Sequence, residues 1–205
     1  MGILQRENQN FIIKPYPFLA MARNGYKIKM SDIQILGKSF FVRPTLTVAR
    51  ELLGKYLVRQ RGLKKTSLMI TEVEAYDGLN DKASHASRGE TERNKTMFCE
   101  GGRWYVYFTY GMHWMLNIVT GPRNYPAAVL IRGTDKVTGP ARLTKYLKID
   151  KKFNGVLAAQ KSGLWIEDRG CKIKPSEIIK TPRIGVDYSG PAWAKKPWRF
   201  YILRQ

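Results

Sequence analysis

The segment Ile70-Thr-Glu72-Val-Glu74-Ala-Tyr76 reads as a strand, and strand side chains alternate. Glu72, Glu74 and Tyr76 therefore share one face. A carboxylate held near a reacting sugar carbon can act as a general base on water and can offset charge on an oxocarbenium-like transition state. Two acids on one face also fit a plain solvated pair, and the spacing alone does not choose between Glu72 and Glu74. A second cluster lies further on. Six of the chain's 24 aromatic residues fall between Trp104 and Trp114, in Trp104-Tyr-Val-Tyr107-Phe-Thr-Tyr110-Gly111-Met112-His-Trp114. Flat rings in that density suit stacking on an extruded base or wedging into a base step.

The 205 residues carry 36 Lys+Arg against 16 Asp+Glu, a formal charge of +20. The excess is spread along the chain instead of forming a tail. Rings plus surplus cations point to a nucleic acid. A merely soluble basic protein would share the charge; no basic amphipathic helix stands out for a membrane surface. With 43 % hydrophobic and 25 % charged residues the composition is that of a folded protein. Cys99 and Cys171 are the only cysteines, and His85 and His113 the only histidines. No CxxC or HxxxH spacing exists, which argues against a structural zinc, and a reduced cysteine pair is the simpler reading. Residues 104–122 are uncharged and long enough to span a bilayer, but Asn117, His113 and the Tyr-Gly turn fit a hairpin better. Phe11–Ala22 imitates a signal peptide, yet Lys14, Pro15 and Pro17 interrupt it.

The elements that must position these residues follow from the same pattern. Residues 1–38 lack steady periodicity and read as an N-terminal extension, packed in part through Phe11, Tyr16 and Phe18; residues 39–205 form the working domain. Pro44 opens a helix with apolar positions Leu46, Ala49, Leu52 and Leu53, stopped at Gly54. Tyr56–Gln60 and Ser67–Glu74 are strands around a basic turn at Gly62. Residues 77–103 form a long turn-rich loop of the kind that carries function. Arg103–Tyr110 and Met112–Val119 make a hairpin with Tyr110-Gly111 at its tip. Ala127–Arg132 is a short apolar strand. Thr138-Gly139-Pro140 opens a helix facing inward through Leu143, Tyr146 and Leu147. The expected fold is mixed α/β (α+β), a single domain on a curved, mainly antiparallel sheet with flanking helices and a protruding β-hairpin.

Several long motifs then recur in one order. They are Ile70–Tyr76 with Asp81–His85, Thr91-Glu-Arg-Asn94 with Met97-Phe98, and Tyr105-Val-Tyr-x-x-Tyr-Gly-Met112 with Asn117. Gly139-Pro-Ala, Arg183-Ile-Gly-Val186 and Trp193-Ala-Lys-Lys-Pro-x-Arg-Phe-Tyr201 continue the series. Over roughly residues 40–202 the chain resembles the alkyladenine (3-methyladenine) DNA glycosylase family. The stretch from Gly133 to Gly139 is much shorter than in mammalian members, so DNA contacts there do not carry over.

The resemblance implies a residue-by-residue assignment. Glu74 is the general base that deprotonates water for attack on C1′, and Arg132 lies beside that water and carboxylate. Tyr76 and Tyr107 sandwich the flipped base, His85 contacts it from the side, and Asn117 at the floor rejects guanine through its exocyclic amino group. Tyr110, with Gly111 and Met112 at the hairpin tip, fills the gap left in the duplex. Lys195, Lys196 and Arg199 are expected on the DNA face, though a solvated basic face would look identical. A Gly139-Pro140 helix start could receive a phosphate, or be capped by a side chain. The implied activity is that of a monofunctional DNA glycosylase of base excision repair, hydrolysing the N-glycosidic bond of alkylated or deaminated purines. Its partner is double-stranded DNA containing damaged purines, with no membrane partner, no metal and no organic cofactor. Scanning along DNA suits a monomer, and the setting is cytoplasmic, nucleoid-associated in a bacterium. The competing expectation is a non-catalytic DNA- or RNA-binding module that keeps the aromatic platform.

Overall fold

One long strand, β3 (Lys64–Asp77), organises the molecule. The computed structural model describes residues 33–203. Phe11, Tyr16 and Phe18 lie outside the described residues. The first half of β3 pairs with β2 (Tyr56–Arg61) through the turn at Gly62. Its second half is flanked on both sides, by β6 (Ala127–Thr134) and by β9 (Arg199–Tyr201). The β4 (Trp104–Thr109) and β5 (His113–Val119) hairpin extends the sheet beyond β6. At the other edge stand β7 (Leu164–Asp168) and β1 (Gln34–Ile35), and β8 (Ile179–Thr181) pairs with β9. Every pairing is antiparallel, so the described residues form one nine-stranded sheet in a mixed α+β domain.

Alternation divides this sheet into two faces. Val73, Ala75, Trp104, Val106, Leu116, Ile118, Val129 and Ile131 point to one side and are buried in a single core. Four helices are described: α1 (Lys38–Phe41), α2 (Thr45–Leu52), α3 (Pro140–Leu147) and α4 (Pro191–Ala194). Helix α2 begins directly after Pro44 and ends before Gly54, as its sequence requires, and drives Val48, Ala49 and Leu52 into that core. Helix α3 contributes Leu143 and Leu147, each buried aliphatic being worth about 1.5–3 kcal/mol.

Tyr146 departs from the expectation. It is exposed, and Thr144 is buried in its place. The hydroxyl of Thr144 lies 2.8 Å from Trp114 O and 3.0 Å from Ala141 O and shares its one proton between them, which offsets the cost of burying it.

The loop at 77–103 contains two short 3-10 turns, His85–Arg88 and Lys95–Phe98. Side chains order it where secondary structure does not. Asn94 donates to the carbonyls of His85 and Gly89 (both 2.9 Å) and accepts from Thr91 N. Asp81 accepts from the amides of Asp77 and Ala83, and forms a fully buried two-point pair with Arg183. Ala86 and Met97 pack the loop onto Tyr105, Val119 and Ala128. No helix among the described residues is long and apolar enough to cross a membrane.

Candidate active site

The second face of the sheet carries the site. Glu74 stands opposite Leu130, Leu130 opposite Asn117, and Asn117 opposite Tyr105. Directly opposed residues share a face, so these four form one row across β3, β6, β5 and β4. At 4.7–4.9 Å per strand the row is about 14 Å wide. Two residues along each strand on the same face come Tyr76, Ala128, Arg132 and Tyr107. The loops at 77–103 and 183–190 rise over this face and leave a cleft of about 860 Å³ between them. Tyr76, His85, Tyr107, Asn117 and Arg132 all line it, as does Tyr110 at its mouth.

Glu74 lies beneath this face with no exposed surface. One oxygen accepts from the Ile184 amide (2.8 Å). The other accepts from the Tyr76 hydroxyl (2.9 Å) and from Arg132 Nη1 (3.2 Å). An ionised carboxylate offers about four acceptor positions, so about one is left open. Burial raises the Glu74 pKa above the ordinary carboxylate value; Arg132, the Ile184 amide and the Tyr76 hydroxyl oppose the rise. The three donors hold the charged form ready, while burial keeps it a stronger base than a surface glutamate.

Glu72 differs. Its Oε1 accepts from both Arg132 Nε (2.9 Å) and Arg199 Nε (2.7 Å). It anchors the arginine that touches Glu74. Arg199 is thereby committed to Glu72 and part-buried, and Lys196 stacks its ammonium 3.6 Å from the Trp193 ring centroid. Lys196 and Arg199 are thus part-buried and each held by a ring or an acid, while Lys195 is exposed.

The aromatic wall is made by period two. Tyr105 and Tyr107 project into the cleft side from β4, with centroids 5.2 Å apart. His85 meets Tyr107 edge-on at 4.6 Å, and its Nδ1 lies 3.0 Å from the Tyr105 hydroxyl. Although its outer edge is open to the cleft, His85 is held to about 4 by desolvation and by Arg93, so the ring is neutral near pH 7. Asn117 is buried and donates to Tyr105 O (3.0 Å), which fixes its amide at the cleft floor.

The hairpin tip is exposed at Tyr110 and Met112. Met112 N donates to Thr109 O, and both central residues of the turn have positive φ, 52° at Tyr110 and 65° at Gly111. Glycine accepts that conformation freely, whereas a tyrosine is strained by roughly 1 kcal/mol. The helix start at Gly139 has no side-chain cap hydrogen bond.

Arg183, Asp81, Asn94 and Tyr188 carry no role in the sequence reading. Arg183 packs 4.8 Å from the Tyr76 ring centroid and 5.0 Å from that of Trp198, besides its pair with Asp81. Tyr188 donates to Ala83 O (2.9 Å), tying the two cleft loops together. The available signal was that all but Tyr188 fall within the recurring motifs.

Fold and site thus define a mixed α+β domain with a ring-walled cleft, two of whose lining side chains, Tyr76 and Arg132, hold a fully buried carboxylate. The chain belongs to the methylpurine-DNA glycosylase (MPG) family, whose model matches residues 39–138 and 134–205. The two matches overlap at residues 134–138. The chain is 44 % identical over 187 residues to a protein of Methanocella arvoryzae, covering 82 % of this chain and 92 % of that one. It is 41 % identical over 185 residues to one from Bdellovibrio bacteriovorus, covering 82 % and 95 %. A third, from Wolbachia pipientis, is 46 % identical over 178 residues, covering 81 % and 88 %. All three bear the name "Putative 3-methyladenine DNA glycosylase".

Proposed function

We propose that this chain is a monofunctional DNA glycosylase that rotates an alkylated or deaminated purine out of duplex DNA and hydrolyses its N-glycosidic bond. The observation that carries this reading is the geometry of Glu74: no exposed surface, three donors on two oxygens, and about one acceptor position to spare. A water on that position is deprotonated as it attacks C1′, the bond from C1′ to the base nitrogen breaks, and the base leaves with the bonding pair. Arg132 keeps Glu74 ionised beforehand and cannot itself take the proton.

The cleft accounts for binding. Tyr76 and Tyr107 stack an electron-poor alkylated purine, neutral His85 meets its edge, and Asn117 clashes with the exocyclic amino group of guanine. Tyr110, Gly111 and Met112 occupy the gap in the duplex. Extrusion costs a few kcal/mol and least for weakly paired lesions, so unpairing adds to selectivity. A purely binding module would need the platform but not the Glu74–Arg132 pair, and both residues are present and bonded.

The test uses duplexes holding single defined lesions, incubated with protein and then cleaved by alkali at abasic sites. The wild type should give strand breaks. Glu74→Gln should bind the same duplex and release no base; release near the wild-type rate would overturn the assignment.

A further inference from the structure

A second basic surface lies behind the sheet, away from the cleft. Arg59 is its knot. Arg59 Nε donates to Leu147 O (3.3 Å), its Nη1 to Gly163 O (3.0 Å), and its guanidinium sits 4.6 Å from the Phe153 ring centroid. Strand β2, which carries Arg59, therefore meets the end of α3, the 3-10 turn Lys151–Phe153 and the one at Gln160–Ser162 at this side chain. Each presents cations to solvent beside the contact. They are Arg61, Lys64, Lys148, Lys151, Lys152 and Lys161, all exposed, and none forms an ion pair among the described residues. Asp150 is the acid between them, and one of its oxygens is occupied by Lys152 N (2.8 Å).

This surface is separate from the cleft. Lys64 is ten residues from Glu74 along β3, roughly 30 Å of strand. Lys148 follows α3, whose Pro140 lines the cleft and whose leucines pack on the opposite sheet face, about 12 Å further along the helix axis. The Debye length at physiological salt is about 8 Å, so these charges contribute little to steering at the cleft. Six exposed cations without an ion-pair partner among the described residues, carried on segments that meet at Arg59, raise the local positive potential and attract a polyanion.

We infer that this face binds a second segment of duplex DNA while the cleft is engaged with the first. The choice of DNA rests on the glycosylase reading, since it is the polyanion that reading places around the protein. The cations project from turns and a helix end, not from an amphipathic helix that could lie in a lipid surface.

The experiment loads the protein on an immobilised short duplex holding a non-hydrolysable lesion analogue, then offers a labelled undamaged duplex in solution. The loaded wild type should capture it, and salt should release it. The variant Lys148→Gln/Lys151→Gln/Lys152→Gln/Lys161→Gln should capture at least about tenfold less, with the log-affinity against log-salt slope shallower by about 3 to 4. Its base release from a short lesion duplex should be unchanged. No capture by the loaded wild type, or equal capture by the variant, overturns the inference. So does a parallel loss of base release, which would make the patch part of the cleft face, or capture of anionic vesicles but not of DNA. Failure at the loading step strikes the glycosylase reading instead; capture of undamaged DNA by free protein and variant then still decides the patch.

Discussion

Replacing Arg132 with Gln removes the charge that opposes burial at Glu74. The guanidinium is 3.2 Å from Glu74 Oε2, and the two side chains have 13 % and 0 % exposure. At about 4 Å between charge centres and an effective dielectric constant of about 20, the attraction is about 4 kcal/mol. Arg132 is shared with Glu72, so about 2–4 kcal/mol of support for ionised Glu74 is lost. Each 1.36 kcal/mol is a factor of ten, so base release should fall by up to about 30- to 1,000-fold on the acid side of the wild-type profile, and by less as pH rises. The direction with pH is fixed. Burial already raises the Glu74 pKa and Arg132 opposes it, so the variant's acid limb moves to higher pH and its rate climbs as pH rises. Stability should run the other way. A folded-state pKa above the unfolded one favours the protonated native protein, so the variant's thermal midpoint should drop as pH rises through that same window. Single-turnover base release and thermal melts across a pH series read both limbs. Arg132→Lys, which restores a cation, should recover part of the rate. A loss of rate that is the same at every pH would refute the argument, because Arg132 would then act by shaping the cleft and not by charging Glu74.

Three further substitutions probe the other parts of the site. Tyr110→Gly relieves a positive φ, so it should stabilise the free protein by up to about 1 kcal/mol in denaturant titrations while weakening lesion-duplex binding; a variant that binds as well as wild type would remove the wedge role. Asn117→Ala opens the cleft floor and should raise guanine excision relative to alkylated purines by about tenfold, measured by competition between the two duplexes. An unchanged ratio would place the filter elsewhere. Arg183→Met strands a buried aspartate and should cost about 3–5 kcal/mol of unfolding free energy in urea titrations, with Asp81→Asn in the same chain, which removes the charge but keeps an acceptor for the Asp77 and Ala83 amides, recovering part of it. If the double variant is no more stable than the single one, the pair is not what joins the two cleft loops.

The parts of this molecule that obey a local period are legible in its sequence. Alternation in Ile70–Tyr76 puts Glu72, Glu74 and Tyr76 on one face, and alternation in Trp104–Thr109 separates Tyr105 and Tyr107 from Trp104 and Val106. Tyr110-Gly111 announces the turn that joins β4 to β5. The order of the 77–103 loop is not legible, because it comes from single side chains satisfying distant backbone. Asp81 and Arg183 are 102 positions apart, and no periodicity links them. Thr144 replaces Tyr146 inside for the same kind of reason, a hydroxyl whose partner lies on another element.

The choice between Glu72 and Glu74 shows where local reasoning stops. Spacing makes them equivalent; depth does not. Both acids lie in the part of β3 that pairs with β6 on one side and β9 on the other, with a register irregularity around Glu72, but Glu74 is fully buried and bonded to the Ile184 amide. Glu72 remains nearer the rim, where two guanidinium groups share one of its oxygens. Its charge is spent on fixing Arg132. Glu74 receives only one cation, together with neutral donors from Tyr76 and Ile184, so its negative charge is held without being cancelled. A water-activating carboxylate needs that intermediate condition: ionised before the reaction, yet still able to accept a proton during it. The two acids thus divide one task, the outer one positioning the arginine and the inner one positioned by it.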